Sequence, residues 1–174
     1  TKGALFGNYS SAGMVARTRG TTVFQDCTNE VDVACSYSKV GGFTAMPYNG
    51  SITFRNCVNK GQVYAKGETA SNKDPGRDGT GGLIGYVHPG CTKVTIADCA
   101  NEGEIKSDSG SWRGSTKDPA VEVPRVGSFI GFSDSSTAKT YTISGINTVA
   151  DDMLAVGYIY GQDLSTVGFA LATV

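Results

Sequence analysis

"GGLIGYVHPG", residues 81–90, sets two glycines, an apolar pair, a third glycine and a proline-glycine tip in one short run. Glycine is the residue of close backbone approach and of positive φ, so three of them around Leu83 and Ile84 fit neither a helix nor an ordinary surface loop. The run gains its meaning by recurring. "AGMVAR" at 12, "GGFTAM" at 41, "GSFIGF" at 127 and "GYIYGQ" at 157 are relatives, and "GALFG" at 3 is a partial copy. A second motif alternates with the first: "FQDCTNEVDV" from Phe24, "FRNCVNKGQV" from Phe54 and "IADCANEGEI" from Ile96. With Met14, Phe43, Leu83, Phe129 and Ile159 taken as equivalent, the spacings are 29, 40, 46 and 30 residues. The basic period is near 30, and the two middle copies are longer.

Self-similarity at this period implies stacked supersecondary units, each unable to bury its apolar face alone. Ile52 and Phe54, then Val94 and Ile96, alternate with polar neighbours, and Gly, Asn, Asp and Pro punctuate the runs. The expected fold is all-β, a parallel β-solenoid of about four to five coils with loops inserted in the middle coils. Residues 1–174 form one domain, with a partial coil over 1–20 and a C-terminal coil or cap over 148–174. In such a stack equivalent residues lie about 4.8 Å apart and form ladders. Cys27, Cys57 and Cys99 are expected as an inward column of small apolar groups, continued loosely by Ile146 in "YTISGINT". Asn29, Asn59 and Asn101 are expected as a second ladder, each amide serving its neighbour and the turn backbone.

The pairing of "GGLIGY" with "IADCANEGEI", and of "GGFTAM" with "FRNCVNKGQV", resembles the GLUG-type repeats of large surface and secreted proteins, many of them bacterial. The resemblance covers residues 3–147, with Ala12 and Ser128 standing for motif glycines and no Cys in the fourth copy. It implies a stalk or adhesive region attached to other domains of a larger chain, in an extracellular or cell-surface setting. It implies no catalytic motif.

Composition narrows the partners. A net charge of −1 and a pI near 5.8 offer no electrostatic footprint for nucleic acid or an anionic membrane. No apolar run approaches the length of a membrane span, so no membrane insertion is expected. Five cysteines are an odd set, and reduced thiols are expected. "SNKDPGRDG" spaces oxygens at Asn72, Asp74 and Asp78 but misses the register of a calcium loop, and His88, Cys91 and Cys99 lack a fourth zinc ligand. No metal or cofactor is expected, and His88 reads as exposed.

Candidate binding residues lie in the two insertions, "AKGETASNKDPGRDGT" from 65 and "KSDSGSWRGSTKDPAVEVPR" from 106, which share phase and a Lys-Asp-Pro sequence. Insertions at one phase of a solenoid emerge on one face. Asp74, Arg77, Asp78, Trp112, Arg113 and Asp118 form the expected recognition patch for a glycan or a surface protein, with Trp112 as its aromatic platform. The leading expectation is thus a non-catalytic scaffold or recognition module. The first alternative is a polysaccharide hydrolase or lyase, because Asp26 and Asp98 precede ladder cysteines with Asn56 between them, and carboxylates on adjacent coils can supply acid and base. The second is a self-assembling filament or surface-layer subunit, joined through the uncharged C-terminal edge "STVGFALATV" at 165–174. Sequons stand at Asn8 and Asn49.

Overall fold

A computed structural model describes residues 3–36, 39–66, 79–108, 126–134, 139–145, 148 and 156–159. Among these residues there is no helix, and every strand pairing is parallel. The chain first forms β1 (Gly3–Gly7), β2 (Ser10–Ala12), β3 (Val15–Thr18), β4 (Thr21–Gln25) and β5 (Thr28–Asn29). A second pass gives β6 (Val31–Cys35), β7 (Lys39–Gly41), β8 (Thr44–Pro47), β9 (Asn49–Arg55) and β10 (Val58–Asn59). A third gives β11 (Val63–Ala65), β12 (Gly79–Gly81), β13 (Ile84–Val87), β14 (Gly90–Ala97) and β15 (Ala100–Asn101). Then follow β16 (Ile105–Ser107), β17 (Val126–Gly127), β18 (Ile130–Ser133), β19 (Thr140–Ser144) and β20 (Val156–Ile159).

Each of the first three passes contributes one strand to each of five sheets, the fourth contributes to four of them, and β20 extends one. Sheet I holds β1, β6, β11 and β16, and sheet II holds β2, β7, β12 and β17. Sheet III holds β3, β8, β13, β18 and β20, sheet IV holds β4, β9, β14 and β19, and sheet V holds β5, β10 and β15. This all-β parallel architecture is compatible with a β-solenoid. Side chains of one column share an environment: Phe24, Phe54, Ile96 and Ile143 lie side by side across sheet IV.

The glycines explain how the sheets meet. A Cβ on Gly81 would collide with Ile84 O and one on Gly127 with Ile130 O, while one on Gly85 would stand 2.7 Å from both Val40 N and Val40 O. Sheets II and III therefore touch through their backbones. Apolar side chains fill the spaces on either side. Val33, Val63, Ile105 and Val40 form a cluster from sheets I and II. The larger cluster joins sheets III and IV with Phe43, Leu83 and Phe129 of the glycine turn. There Phe24 and Phe54 stack at 5.1 Å, and Phe43 meets them edge-on at 5.6 and 5.7 Å. Burying one such ring contributes about 1.5–3 kcal/mol.

Two features depart from the repeat as read in the sequence. Val156 lies beside Ile130 and Ile159 beside Ser133, so Ile159 is not the equivalent of Phe129. Gly157 instead falls level with Gly131, at a place where a Cβ would stand 2.6 Å from Gly131 O and Val126 O. Backbone contact demands a glycine there, and that need sets the register. The second departure is exposure on the first pass, where Leu5, Met14 and Val15 are 40%, 38% and 40% exposed while their neighbours Val33, Phe43 and Thr44 are buried.

Candidate functional site

The asparagines stand in register in sheet V. Asn29 Nδ2 donates to Asn59 Oδ1 and Asn59 Nδ2 to Asn101 Oδ1, both at 2.8 Å, across 30 and 42 residues of sequence. The same amide groups close the local turns, Asn59 Nδ2 donating to Gly61 O and Asn101 Nδ2 to Gly103 O at 2.9 Å. All three side chains are buried, and their oxygens lie where a Cβ on Gly13, Gly42 or Gly82 would stand. The two sequence motifs are the two sides of one contact.

Cys27, Cys57 and Cys99 each donate to the carbonyl two residues earlier, at 3.1, 3.3 and 3.2 Å. Cys57 and Cys99 are buried, whereas Cys27, on the first pass, is half-buried. All five cysteines are free thiols. The hydrogen bond with Cys57 pushes the Cys99 thiol above its ordinary range, and burial pushes it further. Ile146 lies outside the described residues.

The carboxylates weighed for catalysis occupy corners. Asp26, Asn56 and Asp98 have φ of 53°, 49° and 53°, and Gly145 follows at 75°. Asp, Asn and Gly are the residues that tolerate this left-handed conformation, so the corner accounts for all four identities. Asn56 Nδ2 donates to Asp26 Oδ1 at 2.7 Å, and the Asp98 carboxylate lies where a Cβ on Gly145 would stand. The bond from Asn56, then one from Gln25, holds the exposed Asp26 carboxyl below its usual range.

The six insertion residues Asp74, Arg77, Asp78, Trp112, Arg113 and Asp118 lie outside the described residues, as do Asn72 and the 165–174 edge. The flanks of both insertions are described. One leaves sheet I after β11 and rejoins sheet II at β12, and the other runs between β16 and β17. Gly79, which opens β12 at the end of the earlier insertion, faces Phe132, whose ring stacks on Tyr86 at 5.4 Å.

Beside that root stands a group that sequence reasoning missed. Arg19, Tyr48 and His88 succeed one another along the stack where sheet III turns into sheet IV, tied by Tyr48 N to Thr18 O at 2.9 Å and His88 N to Pro47 O at 3.2 Å. The Tyr48 and His88 rings stack at 4.0 Å, and the guanidinium carbons of Arg19 and Arg17 lie 4.9 and 5.2 Å from the Tyr48 centroid. Lys39 Nζ stands 5.8 Å from the Tyr86 centroid. His88 is half-buried rather than exposed, because its ring covers Tyr48. Gly90 N donates to His88 Nδ1 at 3.1 Å, which places the ring proton on Nε2. Lys139 Nζ clamps the tip by donating to His88 O, Pro89 O and Cys91 O at 2.9–3.0 Å. Burial lowers its pKa. The signal for this group was the period itself, since Arg19, Tyr48 and His88 share one phase.

Among the described residues no group of three or more His, Cys, Asp or Glu is placed to hold a metal, and no helix is long and apolar enough to cross a membrane. His88 engages Tyr48, Cys91 Sγ donates to Lys93 O at 3.7 Å, and Cys99 joins the thiol column. No protein-family model, curated protein or solved structure matches the chain.

Proposed function

We propose that this chain is a non-catalytic module of GLUG type, a parallel β-solenoid of four to five coils with a basic period near 30 residues, carried by an extracellular or cell-surface protein. It acts as a rigid scaffold whose insertions, residues 65–80 and 106–125, present a recognition face for a glycan or a surface protein. The observation that carries this reading is the position of the insertions: both interrupt the same connection, between sheet I and sheet II. Length added there leaves every ladder in register. The polar residues of the ladders also have structural duties, closing turns and joining passes, so recognition falls to the connections. Trp112 is the proposed anchor, since an indole supplies large contact area at small entropic cost.

The test is to shorten both insertions to the length of the connection between β6 and β7 and compare binding on a glycan array and to cells. Loop length affects closure entropy only slowly, so the fold should persist while adhesion is lost. Undiminished binding by the shortened chain would overturn the reading and leave a spacer.

A second reading, self-assembly, is favoured by one specific observation. Among the described residues the exposed large hydrophobics, Leu5, Phe6, Tyr9, Met14, Val15 and Val23, all belong to the first pass, whose strands β1 to β5 are the outermost described strands of their sheets. Edges of that kind invite pairing with another chain. Light scattering that stays monomeric at high concentration rejects it.

A further inference from the structure

We propose that Arg17, Arg19, Tyr48 and His88 form a binding site for an acidic glycan, one whose sugars carry carboxylate or sulfate groups. The inference rests on the recognition-module reading but uses residues outside both insertions. Two guanidinium groups lie over one tyrosine ring, at 4.9 and 5.2 Å from its centroid. Neither has a carboxylate within ion-pair reach among the described residues. Like charges gathered on one surface ring repel, and an anion between them converts the repulsion into two charge-assisted hydrogen-bonding forks. Stacking on Tyr48 holds the forks in place before any ligand arrives, which reduces the ordering cost of binding.

The rest of the site supplies donors and an address. His88 stacks on Tyr48 and fixes the ring on which the two guanidinium groups lie. Lys39 over Tyr86 adds a third cation from sheet II. Because Gly79 faces Phe132 and Phe132 stacks on Tyr86, the site adjoins the start of β12. A net charge of −1 gives no overall positive field to draw in a long phosphate backbone. A compact set of cations beside aromatic rings suits a few charged sugars instead.

The experiment is isothermal titration of the full chain with three probes: a heparin hexasaccharide, a galacturonate hexasaccharide and a neutral cellohexaose. The parent should bind one or both acidic probes and not the neutral one, and the affinity should fall with added salt. Arg17→Gln with Arg19→Gln should weaken that binding at least about tenfold, the loss of two charge-assisted hydrogen bonds. Both residues are exposed, so the melting temperature should hold. The two acidic probes distinguish sulfate from carboxylate recognition. The chain with both insertions shortened separates this proposal from the reading beneath it: retained acidic-probe binding there supports the corner even if the insertions bind nothing. Absence of binding to both acidic probes, equal affinity for cellohexaose, or undiminished binding by the double variant each overturns the site.

Discussion

Asn59 both donates to and accepts from a neighbouring amide, and it is fully buried. Asn59→Ala breaks two inter-pass hydrogen bonds and orphans turn groups on both sides, so it should lower stability by about 1–3 kcal/mol in urea titration. The loss should exceed that for Asn29→Ala. Equal losses would mean that the column contributes only through local turns. Tyr141 carries the pH dependence at this scale. Burial pushes its phenol up to about 12 from the ordinary 10.0, with the Ser133 hydrogen bond opposing. The folded state thus favours the neutral ring, so the contribution is intact below pH 10 and is lost as pH rises from 10 through 12, where the unfolded chain ionises first. Tyr141→Phe should lose less stability over that window than the parent does. A parent-minus-variant difference that is flat with pH would refute the assignment.

At the scale of elements, the seam between sheets II and III is the most sequence-demanding feature. A Cβ on Gly42 would meet Gly82 O and Asn59 Oδ1, backbone and buried amide that have no room to yield, whereas a Cβ on Gly3 meets nothing within 4 Å. Gly42→Ala should cost about 1–3 kcal/mol or more by overpacking, and Gly3→Ala should be silent. Thermal melts of the two single variants check this, and similar melting temperatures would mean that the glycine turn can draw back from the asparagine column of sheet V. The recurrence of Gly-Gly was plain in the sequence, yet its reason was not. A glycine set for positive φ and one set for close approach look alike until the facing strand is known, and here Gly41, Gly42, Gly81 and Gly82 are absent from the positive-φ residues.

For the whole molecule, stacking makes stability depend on position along the chain. Val33 is 1% exposed between Leu5 and Val63, while Leu5 has a neighbour on one side only. Val33→Ser should cost about 2–4 kcal/mol through lost burial and an unpaired hydroxyl, and Leu5→Ser clearly less. Chemical denaturation of both variants decides, and equal costs would imply that the first pass is covered in solution, as the self-assembly reading requires.

The sequence by itself determined the all-β architecture, because strand-forming runs recurring with Gly and Asn punctuation leave each repeat an apolar face that only its neighbours can bury. It also determined which cysteines and asparagines share a phase, since phase is read directly from spacing. Tertiary structure alone decided what each column does. Asp26, Asn56 and Asp98 suggested paired carboxylates in the sequence, and only their backbone angles show corners that select Asp, Asn or Gly. The displaced register of Gly157 was settled by contact with Val126 and Gly131, a constraint that spacing does not carry. Arg17, Arg19, Tyr48 and His88 come from three successive copies of the glycine motif or the residues just after it, and their different residue types hid the phase they share. They meet because parallel strands in register stack whatever side chains share a phase, and stacking, unlike spacing, brings a cation, a phenol and an imidazole within reach of one another.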